Sequence, residues 1–361
     1  MKDVIVKKVA YIVLFSLLIA NYVFSVGAEL YSSSLRDALR LLLVAFLFGL
    51  SLTGKFKLTY LVTLFISIII LLLLFMVNHS GNAINIIVLS IIVYAMVTIS
   101  DDGMPLEEVV YKAAMLSALA YVIVHFLGIT NNIVLEVGDR VRYFFGFVNP
   151  NKFALYVLNV SCITVMYSLS IKRLGWFRLF ILILLFILLI YTDSRTSILT
   201  FLILVMSTFL AYYRAFTLLK IASISAICLS VVAFWAFLEF HSSLSFNVLL
   251  SSRPYEMANA VSGFNESDWL LGTELAGRSD NSHIQIVSGV GLVFYTFFIA
   301  FLLYKLVTTE DMRLLVLAPT IMAVSVTEGV LIAVEALFVL VFYSYLFIGG
   351  ADVKSSNQWG G

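Results

Sequence analysis

The chain has 361 residues, of which 62% are hydrophobic and only 12% charged, with a formal net charge of +1. That charged share is about half what soluble proteins carry, and no polar stretch is long enough to bury a core of its own. A soluble enzyme and a nucleic-acid binder are both excluded, and the composition predicts an all-α polytopic membrane protein forming one integral membrane domain over 1–361.

In chain order, apolar runs of crossing length lie near 9–26, 38–53, 58–77, 83–99, 113–130, 153–170, 176–192, 197–213, 217–238, 285–304, 313–327 and 329–348. Twelve spans follow. Lys2, Lys7 and Lys8 precede the first run in the manner of a signal peptide, but so many later spans make it an uncleaved first helix. The run from 176 to 213 is too long for one crossing, so Thr192-Asp193-Ser194-Arg195-Thr196 reads as a tight re-turn. Pro319 is a kink candidate, and only Thr327, Glu328 and Gly329 divide the last two runs. Cys162 and Cys228 sit inside apolar segments, where they read as small apolar residues rather than a disulfide or metal pair.

The eleven lysines and eleven arginines divide between the two faces. With the N-terminus in the cytoplasm, ten Lys and four Arg lie inside, while seven Arg (36, 40, 140, 142, 195, 253 and 278) and Lys152 lie outside. The inside excess supports this orientation, with a cytoplasmic C-terminus as well. The outside arginines oppose it and need another reason. A pyrophosphate is one, since a guanidinium fork grips it with paired hydrogen bonds. Two outside loops are long, about 131–152 and 239–284, and together they form the candidate active site. Apolar patches at Phe246–Leu250 and Trp269–Leu271 predict short interfacial helices in the second.

Three constellations carry chemistry. In the first, Arg140 and Arg142 precede Asn149-Pro150-Asn151-Lys152 and a span. Asn149 or Asn151 can cap that helix, and its N-terminus would favour an anion beside Arg142. A snorkelling cluster is the plainer alternative. In the second, Arg195 has almost no loop around it, so it lines a wet cavity or pairs with Asp193 to close the turn. In the third, Arg253 opens the large loop, and Arg278, Asp280, Asn281 and His283 close it. Asp280 or Asn281 is the expected N-cap, with His283 in the first turn as a base. Glu335 in the last span and Glu328 at its edge are proton acceptors or partners for an outside arginine. No Walker-type loop, clustered metal-ligand spacing or basic patch of nucleic-acid density occurs.

Taken in order, four pieces resemble the bacterial oligosaccharide repeat-unit polymerases of the Wzy type, which are related to the O-antigen ligases. They are Gly146-Phe147-Val148-Asn149-Pro150-Asn151, Ser194-Arg195-Thr196, Ser252-Arg253, and Leu271-Gly272 with Asp280-Asn281-Ser282 before a span containing Gly289 and Gly291. The likeness covers about 140–305. It implies a glycosyltransferase of the bacterial inner membrane that makes O-antigen, capsule or exopolysaccharide. Donor and acceptor are undecaprenyl-pyrophosphate-linked glycans, and a flippase and chain-length regulator are partners. It also implies that Arg195 and Arg253 hold the leaving pyrophosphate without metal or nucleotide cofactor. From the residues themselves, Arg142 and Arg278 are local candidates to assist, and Asn149, Asn151 and Glu335 to contact substrate. In the related ligases a histidine near the end of the large loop is implicated, which points to His283, with Asp280, for the acceptor proton. A ligase and a lipid-carrier transporter are the alternative readings.

Overall fold

The structure is a computed structural model that describes residues 58–348, apart from 102–105, 129–133, 138–139, 146, 148–149, 251, 278 and 334–335, plus positions 45 and 49. It is mostly helical. The helices are α1 (Leu58–Asn78), α2 (Gly81–Asp101), α3 (Leu106–Phe126), α4 (Pro150–Ser170), α5 (Trp176–Thr192), α6 (Arg195–Tyr212), α7 (Phe216–Glu239), α8 (Leu244–Leu249), α9 (Arg253–Ala260), α10 (Glu266–Leu271), α11 (Ser282–Thr308), α12 (Met312–Ser325) and α13 (Leu337–Ile348). Among the described residues, α2, α3, α4, α6, α7 and α11 are long and apolar enough to cross a membrane, and Leu64–Asn78 within α1, with α5, α12 and Leu337–Phe347 of α13, form shorter apolar stretches. The expected spans at 9–26 and 38–53 lie outside the described residues, as do Arg36 and Arg40.

Several details differ from the sequence reading. The run expected to cross at 329–348 is a helix only from Leu337, and Arg253–Ala260 forms a short helix that was not expected. Helix α3 begins at Leu106, ahead of the apolar run. Glu107 and Glu108 occupy its first turn, where the helix dipole favours negative charge, and Glu108 pairs with Lys112 one turn on at 2.5 Å. The stretch 131–152 is not purely a turn. It holds a small antiparallel hairpin, β1 (Val134–Val137) paired with β2 (Arg140–Tyr143), in which Leu135 faces Arg142.

The chain divides into two compact units. Unit one contains Ile92–Val205 and Glu335–Ser344. Here α4 is buried along most of its length, packed between α3 and α5. The segment after β2 is clamped to it by rings. The Tyr121 hydroxyl donates to the Phe145 carbonyl, and Phe147 packs on Phe153 and Tyr156 with ring centroids 5.3 and 5.7 Å apart. The Asn159 side chain accepts the Phe338 N–H at 2.9 Å, starting α13 inside the core.

Unit two contains Leu58–Ile91 and Met206–Val334. Its centre is α12 against α7. Pro319 lies inside α12 and cannot donate to the carbonyl four residues back. That carbonyl, on Leu315, instead lies 2.9 Å from the Ser223 hydroxyl of α7, whose one hydrogen it shares with the Leu219 carbonyl at 2.7 Å.

Helix α11 is not one continuous rod, because Gly291 breaks it with φ 78° and ψ 166°. The end of α10 lodges in this break. A Cβ on Gly291 would overlap the Leu270 carbonyl, and one on Gly272 would lie 2.5 Å from the Ser288 carbonyl. Asn78 donates to the carbonyls of Gly289 at 2.9 Å and Leu271 at 3.2 Å, and Asn82 donates to the Ser288 hydroxyl at 2.7 Å. The Asn78 amide thereby meets backbone carbonyls beside the break, while Asn82 holds the Ser288 side chain.

Candidate functional site

The arginines of unit one come first. In β2, Arg142 reaches two other elements: its Nε donates to the Thr192 carbonyl at 3.2 Å and its Nη2 to Asn151 Oδ1 at 2.6 Å. Asn151 therefore does not cap α4. Pro150 already occupies the first helical position, and the Asn151 side chain is turned to the guanidinium instead. Asn149 lies outside the described residues, as does the side chain of Arg140.

Thr192 ends α5, Asp193 turns the chain with φ 48°, and Arg195 begins α6. This is the tight re-turn anticipated from the sequence. Ser194 and Ser197 are buried and joined at 3.0 Å, while Arg195 is exposed. No described carboxylate pairs with it, so the turn is not closed by an Asp193–Arg195 pair. Through Thr192, Arg142 is anchored three residues from Arg195. Two arginines and the first N–H groups of α6 therefore gather at one helix junction, an arrangement suited to an anion.

In unit two, Arg253 opens α9 behind Ser252, which has a positive φ of 62°. Its Nη2 donates to Glu328 Oε1 at 2.7 Å, with the two side chains 18% and 9% exposed. Glu328 thus takes the second of its two anticipated roles, partner to an arginine. In so sheltered a pair, removing one partner would cost about 3–5 kcal/mol.

The start of α11 is built by Asn281, whose side chain accepts from the N–H groups of His283 and Ile284 at 2.9 and 3.1 Å. Asp280 precedes it half-buried, and Arg278 lies outside the described residues. His283 is where the sequence expectation needs revising. It does sit in the first turn, but it is fully buried. Its Nδ1 lies 2.9 Å from the Tyr295 hydroxyl and its Nε2 lies 3.3 Å from Ser325 Oγ, while the Phe234 ring packs 5.9 Å away. Both nitrogens are engaged and no face is open to an acceptor hydroxyl. His283 therefore fits a core histidine better than a base. His283→Ala should lower the melting temperature by an amount equivalent to about 1–3 kcal/mol, since Tyr295 and Ser325 lose a buried partner. Any activity per folded molecule should be unchanged. A stable His283→Ala protein with no activity would return the histidine to catalysis.

Glu335 lies outside the described residues. Sequence reasoning missed Ser282 as a hub. Its hydroxyl donates to the Glu328 carbonyl at 2.6 Å and accepts from the N–H groups of Val330 and Leu331. A serine directly after an asparagine cap was the available signal. No group of three or more His, Cys, Asp or Glu side chains that could hold a metal occurs among the described residues. No protein-family model, curated protein or solved structure matches this chain.

Proposed function

We propose that the chain is a glycosyltransferase of the bacterial cytoplasmic membrane, polymerising undecaprenyl-pyrophosphate-linked repeat units into a surface polysaccharide. The observation that carries this reading is the handling of the arginines. Arg142 is fixed by Thr192 and Asn151 beside an exposed Arg195, and Arg253 is held by a sheltered carboxylate. Arginines kept only for topology would need no such settings, and lysine would serve better. In this reading the chain crosses the membrane twelve times with its N-terminus inside, and the segments 131–152 and 239–284 face outward.

In the proposed reaction an acceptor hydroxyl forms a bond to the anomeric carbon while the bond from that carbon to pyrophosphate oxygen breaks. The electron pair leaves with the lipid pyrophosphate, and the candidates to take up its charge are Arg195 with Arg142 in unit one and Arg253 with Arg278 in unit two. The acceptor proton passes to Asp280, which is half-buried rather than sealed, in place of His283. Purified protein given a synthetic lipid-linked repeat unit should produce a ladder of products spaced by one unit. A single added unit would indicate a ligase, and an unconsumed substrate would refute the proposal.

A transporter of the same lipid carriers is the second reading. The break in α11 at Gly291 and the uncoiled stretch after α12 favour it, because discontinuous helices often line substrate paths. Movement of the lipid-linked unit across proteoliposomes without polymer would select that reading.

A further inference from the structure

Arg253 and Glu328 are 75 positions apart, and the stretch that carries Glu328 is fastened with unusual thoroughness. Ser282 ties down the Glu328 carbonyl and the N–H groups of Val330 and Leu331 at 2.6, 2.8 and 3.1 Å. Asn281 Nδ2 donates to the Val326 carbonyl at 2.7 Å. The next residue, Gly329, has the Gln285 amide where any Cβ would stand, and Gln285 is itself held by the Ser279 carbonyl at 2.7 Å. The first turn of α11 therefore grips the backbone on both sides of Glu328. A carboxylate so fixed gives the guanidinium it meets one bearing rather than many.

We infer that Glu328 is a positioning residue for Arg253, setting the guanidinium fork to receive a pyrophosphate oxygen while touching no substrate itself. The inference rests on the reading that Arg253 meets a pyrophosphate. It adds that the uncoiled stretch after α12 belongs to the pyrophosphate site through Glu328. The ion pair lowers the motional freedom that the fork would otherwise lose on binding, which is where preorganisation gains affinity.

The test uses full-length protein in detergent micelles, with farnesyl pyrophosphate as probe and thermal melting alongside. Glu328→Gln keeps the shape and removes the charge, and it should weaken pyrophosphate binding roughly 10- to 100-fold. Glu328→Asp should recover part of that loss. Gly329→Ala, which forces the Gln285 amide away from the backbone beside Glu328 without altering any charge, should also weaken binding, and it serves if Glu328→Gln does not fold. The double exchange Arg253→Glu with Glu328→Arg rebuilds an ion pair. It should restore the melting temperature but not the binding. The inference is overturned if Glu328→Gln binds like wild type, if the double exchange restores binding, or if wild-type protein does not bind the probe. A wild-type protein that binds the probe but forms no polymer, with Glu328→Gln losing that binding, supports the inference and sinks the polymerase reading.

Discussion

Arg195→Lys should shorten the polymer to one or two repeat units and lower kcat/KM by about 10²-fold or more, while leaving thermal stability unchanged. The rate effect follows from what lysine cannot do. It keeps the charge but replaces a planar fork with a point donor, so in the proposed reaction the paired hydrogen bonds to the leaving pyrophosphate would be lost as its charge develops. The stability prediction follows from the setting, since Arg195 is exposed and no described carboxylate pairs with it, so folding loses nothing. Arg142→Lys makes a useful contrast. Its fork bridges Thr192 and Asn151, so both stability and product length should fall. Full-length polymer at wild-type rate from Arg195→Lys would remove the bidentate role.

Gly291→Ala should be the most destabilising single methyl addition in unit two, costing about 3–5 kcal/mol. Two penalties combine. The residue has φ 78°, in the left-handed region, and a Cβ there would overlap the Leu270 carbonyl. Gly128→Ala separates them. Gly128 has a similar φ of 69° but nothing within 4 Å of its Cβ position, so only the backbone cost of about 1 kcal/mol should appear. Melting curves of the two variants in the same detergent measure the difference. If Gly291→Ala melts no lower than Gly128→Ala, then α10 does not lodge in the break.

The reasons some of this was legible in the sequence, and some was not, are local against distant. Most of the long helices from α1 to α12 lie where apolar length put them, because such a run is defined by its own residues, whereas α13 starts only at Leu337 in the run expected from 329. Asn281 as cap and the re-turn at Asp193 were readable for the same reason, since both rest on neighbours within four positions. The hairpin of β1 and β2 was not. Each strand is four residues long, too short for alternation to stand out beside turn signals. The sealing of His283 was not either, as it depends on Tyr295, Ser325 and Phe234 arriving from three places. Glu328 falls between the two cases. Its position near membrane depth marked it as a partner for an arginine, but which arginine is decided by packing across 75 positions.

The lock on α11 also sets an order of assembly. Asn78 bonds to the Gly289 carbonyl across 211 positions, and Asn82 to Ser288 across 206. A chain made from its N-terminus completes α1 and α2 long before α10 and α11 leave the ribosome. Until then the amides of Asn78 and Asn82 lack the partners that they hold in the finished protein, and contacts of such long separation form late. The beginning of unit two thus waits for Ser288 and Gly289, more than 200 positions later, before its amides find their final partners.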